Sequence, residues 1–247
     1  ARAAFTAWAE TPVATRKELV VKFLDAHKAK KAETVEWITK ELGCTKAFAE
    51  NVQSNFVEFH GRTAVAGIDS IKWYEAAGQC TVVKEAVGVV GCITPWNYPL
   101  NQISLKIVPA LLCGCTVVLK PSEVTPINAY LVAEAMHEAG LPPGVFNMVV
   151  GDGPNCGQIL ASDPDVDLVS FTGSTRAGKQ ISVAAVQTLK RVRTELGGKS
   201  AAILLDDANF GEVMPSFLGQ LVANTGQSCN ALSRMLVPRA RYEEAVN

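Results

Sequence analysis

From Val87 to Leu196 short runs rich in β-branched residues alternate, without a break, with stretches of helical period, and this alternation limits the chain to few folds. The spacing predicts strands at Val87–Ile93, Thr116–Leu119, Val145–Val149, Leu168–Thr172 and Arg191–Leu196. Helices are predicted between them at Leu100–Cys113, Pro126–Ala139, Asn155–Ala161 and Arg176–Leu189. Strands separated by helices of this length pair in parallel, so the class is α/β, a doubly wound, Rossmann-like sheet with helices on both faces. The helix at 126 has the clearest brackets: Thr125 as N-cap, Pro126 at the first helical position and Gly140 past its end.

Upstream, residues 1 to about 66 read as helices, with Trp8, Phe23, Leu24, Ile38 and Leu42 on apolar faces and Lys/Glu alternation on solvated ones. Between 67 and 86 the pattern loosens, and Thr81–Glu85 reads as a short strand. Downstream of Gly197-Gly198 a second alternating unit begins: strand Ala201–Leu205, helix Gly211–Ala223 and a strand near Arg234–Val237. The domains are therefore placed at 1–197, for cofactor binding, and 198–247, the start of a second α/β domain. That second unit looks unfinished, and the opening Ala-Arg-Ala-Ala-Phe begins in mid-pattern, so both ends are expected to belong to a longer protein.

Charge narrows the partners. Lys and Arg number 23 against 24 Asp and Glu in 247 residues, which provides no basic field for nucleic acid or an anionic membrane. The most apolar tract, Ile107–Leu119, is broken by Pro109 and Gly114 and is too short to span a bilayer; it reads as a core helix followed by a strand. Seven cysteines with no Cys-x-x-Cys pair fit reduced thiols and a cytoplasmic setting, and the three histidines form no zinc-ligand pattern, so no metal is expected.

Ligands of open α/β sheets gather at the carboxyl ends of strands, where Thr94–Asn97, Lys120–Glu123, Gly151–Gly157 and Gly173–Gly178 fall. Gly173-Ser174-Thr175-Arg176-Ala177-Gly178 joins a strand to a helix, so its amides and the positive helix end can face a pyrophosphate; a plain turn is the simpler reading of the segment alone. With Lys179 it matches most of a P-loop, yet Gln180 stands where that motif needs a hydroxyl for magnesium. Cys229 sits among Gly226, Gln227, Ser228 and Asn230, small and polar neighbours that leave room beside the sulfur, unlike a packed structural thiol. Glu195 precedes a glycine turn, and Asn97 follows Pro95-Trp96.

Taken together, Pro95-Trp96-Asn97, Phe171-Thr172-Gly173-Ser174-Thr175, Glu195-Leu196-Gly197-Gly198-Lys199 and Gly226-Gln227-Ser228-Cys229 resemble the aldehyde dehydrogenase superfamily in order and approximate spacing, over nearly the whole chain. The resemblance implies NAD-dependent oxidation of a small aldehyde to a carboxylic acid, with Cys229 as nucleophile, Glu195 as general base and Asn97 on the oxyanion. It places the dinucleotide against Ile93, Pro95, Trp96, Lys120, Ser122, Glu123, Gly153, Gly157, Phe171, Gly173, Ser174, Ala177, Gly178 and Leu196. A carboxylate at Glu123 accepts from a ribose hydroxyl and repels a 2′-phosphate, which favours NAD, while Arg176 and Lys120 leave NADP open. The resemblance also makes 67–86 part of an arm of a homo-oligomer, dimer or tetramer; from the residues alone an ordinary edge strand is equally open. Two rival functions stand beside this one: a coenzyme-A-acylating enzyme, against which Glu195 argues, and a catalytically silent nucleotide-binding member. The family's later Glu-x-Phe-Gly-Pro segment does not occur in this sequence.

Overall fold

The computed structural model describes all 247 residues, which divide into two compact units, Ala1–Glu195 and Leu196–Asn247. The first opens with helices α1 (Arg2–Glu10), α2 (Val13–Ala29), α3 (Lys31–Leu42), α4 (Lys46–Asn51) and α5 (Phe56–Gly67). A hairpin of β1 (Tyr74–Ala77) and β2 (Cys80–Val83) follows, then β3 (Val89–Ile93), α6 (Pro99–Leu112), β4 (Thr116–Lys120), α7 (Ile127–Glu138) and β5 (Phe146–Met148). The series continues through α8 (Gln158–Ser162), β6 (Leu168–Gly173), α9 (Thr175–Val186) and β7 (Arg191–Leu196).

The main sheet has the order β5-β4-β3-β6-β7, with β3 parallel to both β4 and β6, and β4 parallel to β5. The chain enters at the central strand, winds outward to β5 and then crosses back to β6. The reversal lies between β3 and β6, where Ile93 pairs with Phe171. A parallel sheet wound in two directions opens a crevice at this point, beyond the carboxyl ends of the two diverging strands.

Both faces of β3 are buried along its whole length, as expected of a central strand. Ile103, Ile107, Leu111 and Leu112 on α6 are buried with Phe23, Leu24 and Ile38 from the preceding helices in one continuous core. Each such side chain withdrawn from water contributes about 1.5–3 kcal/mol. Arg16 is buried there too, donating from Nε to the Leu112 carbonyl at 2.9 Å and from a terminal nitrogen to the carbonyls of Ala9 and Thr11, so its charge closes the ends of α6 and α1. No helix is long and apolar enough to cross a membrane.

Three local expectations are corrected. Helix α7 begins at Ile127 with Pro126 as its cap, and Thr125 is not the N-cap residue: its hydroxyl donates to the Trp96 carbonyl at 3.3 Å. The acceptor at this helix end is Glu41 of α3, which takes the Ile127 amide at 3.0 Å and the Asn128 side chain at 3.3 Å. The segment around Thr81 is not an edge strand of the main sheet: β2 pairs antiparallel with β1 in a sheet of its own, across a Gly78-Gln79 turn with Gly78 at φ +62°. The stretch from 155 to 161 is not one helix but a wide turn, Gly153–Gly157, leading into the short α8; the Asp152 carboxylate accepts the Asn155 amide at the turn's start.

The second unit contains β8 (Ser200–Ile203), α10 (Phe210–Val222), β9 (Leu232–Leu236) and α11 (Tyr242–Val246). Its two strands pair in parallel across α10, one complete β-α-β step.

Candidate active site

At the switch point each strand end delivers a different chemical group. The backbone ladder continues past β3, with the Thr94 amide donating to Lys120 at 3.1 Å. Beyond it the Thr125 hydroxyl holds the Trp96 carbonyl, and the buried Gln53 amide donates to the Asn97 carbonyl at 3.0 Å, fixing the turn before α6. At the end of β4, Lys120 is buried and its ammonium donates to the carbonyls of Pro121 at 2.6 Å and Gly151 at 2.7 Å, and to the Glu123 carboxylate at 3.3 Å. Glu123 itself stays exposed, tethered from beneath. The Ser122 hydroxyl accepts the Val124 amide at 3.2 Å and so shapes the loop.

At the end of β6, the Ser174 side chain caps α9 by accepting the Ala177 amide at 3.2 Å. The amides of Thr175 and Arg176 in the first turn have no intrahelical acceptor and form the positive end of the helix. Gly173 is required by its neighbour: a Cβ there would stand 2.6 Å from Cζ of Phe171, whose buried ring folds back over it. Alanine or anything larger would push that ring out of place.

These ends border a cavity of about 960 Å³. Ile93, Glu123, Gly153, Gly157, Phe171 and Ala177 all line it, so the structure brings six of the expected cofactor contacts to one place. Pro95, Trp96, Lys120, Ser122, Gly173, Ser174 and Gly178 lie on the same strand ends and loops without lining it, and Leu196 falls at the border of the two units. The far wall was missed by the sequence reading. Gln180, Ile181 and Ala184 on one face of α9 and Gln187 at its C-cap complete it, a helical spacing present in the sequence but indistinguishable there from a solvated face.

Apolar side chains on the floor, a carboxylate at one edge and a helix amino end together match the adenosine and pyrophosphate portions of a dinucleotide. Glu195 closes β7 with an exposed carboxylate. Lys106 of α6 is buried, and burial holds its ammonium below the usual lysine range, opposed by the Cys92 thiol and the Glu195 carboxylate. Cys92 is pushed up to about 12 by burial, so it is an inert thiol. Neither Lys106 nor its electrostatic link to Glu195 was legible in a tract that reads as plain core.

Cys229 belongs to the second unit and is exposed, in a turn beyond α10. Asn224, Thr225 and Gly226 all adopt left-handed backbone, at φ +53°, +59° and +76°. Such a conformation costs a β-branched residue about 1–3 kcal/mol. The turn is over-determined by its own bonds: the Gln227 amide and side chain both donate to the Asn224 carbonyl, and the Ser228 hydroxyl to Ala223.

The profile of the aldehyde dehydrogenase family matches residues 1–247. The chain belongs to that family. A 3-succinoylsemialdehyde-pyridine dehydrogenase from a Pseudomonas species is 49% identical over 99% of this chain and 51% of its own length. An aldehyde dehydrogenase structure from Bartonella henselae superposes with TM-score 0.95 at 44% identity, covering 100% of this chain and 52% of that one. A variant of aldehyde dehydrogenase C from Pseudomonas syringae, complexed with NAD+ and octanal, superposes with TM-score 0.96 at 43% identity, over 99% and 50%. The chain thus spans about half the length of these relatives.

Proposed function

We propose that this chain supplies the cofactor site and the reacting side chains of an enzyme that oxidises an aldehyde to a carboxylic acid with NAD. The observation that carries this reading is the cavity at the β3/β6 switch point, lined by Ile93, Phe171, Gly153, Gly157 and Ala177 in the first turn of α9. Glu123, held by Lys120, accepts from the adenosine ribose and repels a 2′-phosphate, which selects NAD over NADP even with Arg176 in the same wall. Bound NAD supplies the hydride acceptor.

The side chains divide the remaining work. The Cys229 thiolate forms a bond to the aldehyde carbon, and the carbonyl π electrons move onto oxygen. Asn97, its backbone held by Gln53, donates from its side-chain amide to that oxygen together with the Cys229 amide. Loss of hydride from the adduct leaves the acyl group on sulfur as a thioester. Glu195 then takes a proton from water as the water attacks the acyl carbon, and the sulfur departs as thiolate with the carboxylic acid released.

The relatives act on or hold a pyridine semialdehyde in one case and octanal in the other, and both support an aldehyde as substrate here. The β1–β2 hairpin, exposed on every residue and carrying Tyr74, Val82 and Val83, supports a second copy of the chain as partner. Seven free thiols are in keeping with a reducing, cytosol-like compartment.

The test uses the intact enzyme carrying this sequence. Cys229→Ala abolishes NADH formation and leaves NAD affinity within about twofold. Glu195→Gln gives one burst of NADH and then stalls with an acylated thiol, visible as a mass increase on Cys229. Steady turnover in either variant removes that residue from the mechanism.

A further inference from the structure

The carboxyl end of α6 and the start of β4 are joined by a single turn that carries two thiols, Cys113 and Cys115, on either side of Gly114. Gly114 is left-handed, at φ +85°. Its amide donates to the Leu111 carbonyl at 3.0 Å and the Cys115 amide donates to the Ala110 carbonyl at 2.9 Å, a pair of bonds that ends the helix and holds the turn closed. Two residues of extended chain reach about 7 Å, and a left-handed residue between the cysteines draws their Cα atoms inside the range of about 4.4–6.8 Å that a disulfide needs.

The two thiols differ in access. Cys113 is half-buried and lines a cavity of about 540 Å³ together with Arg16, Trp73 and Glu85, whereas Cys115 is 4% exposed. A reagent in that cavity meets the first thiol and not the second. Arg16 lies over the turn, since a Cβ on Gly114 would stand 3.2 Å from its Nη1, and its hydrogen bonds all go to carbonyls. Burial pushes both thiols up, and the guanidinium beside them works against it by favouring a thiolate. The other buried thiol in electrostatic reach, Cys92, cannot bridge to this pair. With Val89 opposite Thr116 and Cys92 opposite Leu119, Cys92 lies about four residues, or about 13 Å, along the sheet from Cys115.

We infer that Cys113 and Cys115 are a peroxide-oxidised pair that closes to a disulfide and reopens on reduction. The Cys113 thiolate attacks one oxygen of hydrogen peroxide admitted to the cavity; the O–O bond breaks, the distal oxygen leaves and takes up a proton, and Cys113 becomes a sulfenic acid. The sulfur of Cys115 then attacks the sulfenic sulfur, the S–O bond breaks, and hydroxide leaves with the Cys115 proton as water. The thiols together lose two electrons, and one peroxide becomes two waters. None of these steps depends on the aldehyde-oxidising reading.

The intact enzyme carrying this sequence is treated with hydrogen peroxide, quenched, alkylated in denaturant, digested and weighed by mass spectrometry. The peptide holding both residues is expected two hydrogens lighter with neither thiol alkylated, and dithiothreitol before alkylation restores both alkyl groups. In Cys115→Ser the first step stands alone, and dimedone traps a sulfenic acid on Cys113. In Cys113→Ser the same treatment leaves Cys115 reduced and fully alkylated. Wild-type protein with both thiols alkylated, after peroxide that oxidises free glutathione to completion, overturns the inference. So does Cys113 bridged to Cys80 or to any other cysteine, and so does Cys113 carried on to the sulfinic acid while Cys115 stays free.

Discussion

Replacing Gly173 by alanine puts the cofactor reading under a direct steric test. The backbone at 173 does not require glycine, since its φ is not in the left-handed region. The added methyl carbon, however, would lie 2.6 Å from Cζ of Phe171 and 3.3 Å from both Cε atoms. Ordinary contact between such carbons is about 3.5–4.0 Å, so the ring must move by about 1 Å. Phe171 is 5% exposed and lines the cavity, so it moves either into packed core or into the space left for the dinucleotide. Overpacking of this kind costs about 1–3 kcal/mol. If the displaced ring fills the cavity, NAD affinity falls about 5- to 150-fold. Calorimetric titration with NAD measures the affinity, and a denaturant melt of the same samples measures what is lost in stability. Phe171→Leu on the Gly173→Ala background removes the clashing ring atoms, and the double variant should recover part of the affinity, a coupling that independent sites would not show. Wild-type NAD affinity and wild-type stability together in Gly173→Ala would refute this account of the Gly173–Phe171 contact.

Further outcomes follow from the buried ionisable groups. His27 is 3% exposed, and burial, with Lys30 adding to it, lowers its pKa from 6.5 to about 4. The folded state therefore refuses a proton that the unfolded chain accepts, and its stability is intact above pH 6.5 and falls by about 3 kcal/mol as the pH drops from 6.5 to 4. Urea melts across that range should show the loss for the wild type and not for His27→Leu; an equal slope in both removes His27 as the cause. Glu41→Ala strips the acceptor from the start of α7 and leaves the Ile127 amide and the buried Asn128 side chain unpaired, a loss of about 1–3 kcal/mol by denaturant melt, whereas Glu41→Gln keeps one acceptor and loses less.

Much of the main sheet could be read from the chain because β3 and β4 are buried on both faces and show it as runs of β-branched and apolar residues, β6 adds Val169 and Phe171 on its buried positions, and α6 and α9 show their period. Strand β1 could not. Tyr74–Ala77 is exposed on every residue, so neither alternation nor an apolar run marks it, and only pairing with β2 reveals it as a strand. The cap of α7 was misplaced for a different reason: Thr125 is locally a good cap, but Glu41, 86 residues away, supplies the carboxylate and frees Thr125 to hold Trp96. The same division runs through the site. Ala177 could be placed at the cavity because a strand-to-helix turn is a local object, and Ile93 and Phe171 because they lie at or near strand ends. Gln180, Ile181 and Lys106 could not be placed, because a polar residue on a helix face and a lysine in an apolar tract acquire a role only when another segment's end arrives opposite them. That arrival depends on strand order. Had β6 added beyond β5 instead of beside β3, the same motifs would have ended on separate edges of the sheet with no crevice between Ile93 and Phe171. The cavity is therefore a property of the crossover from β5 back to β6, and the local motifs work only because that crossover places them together.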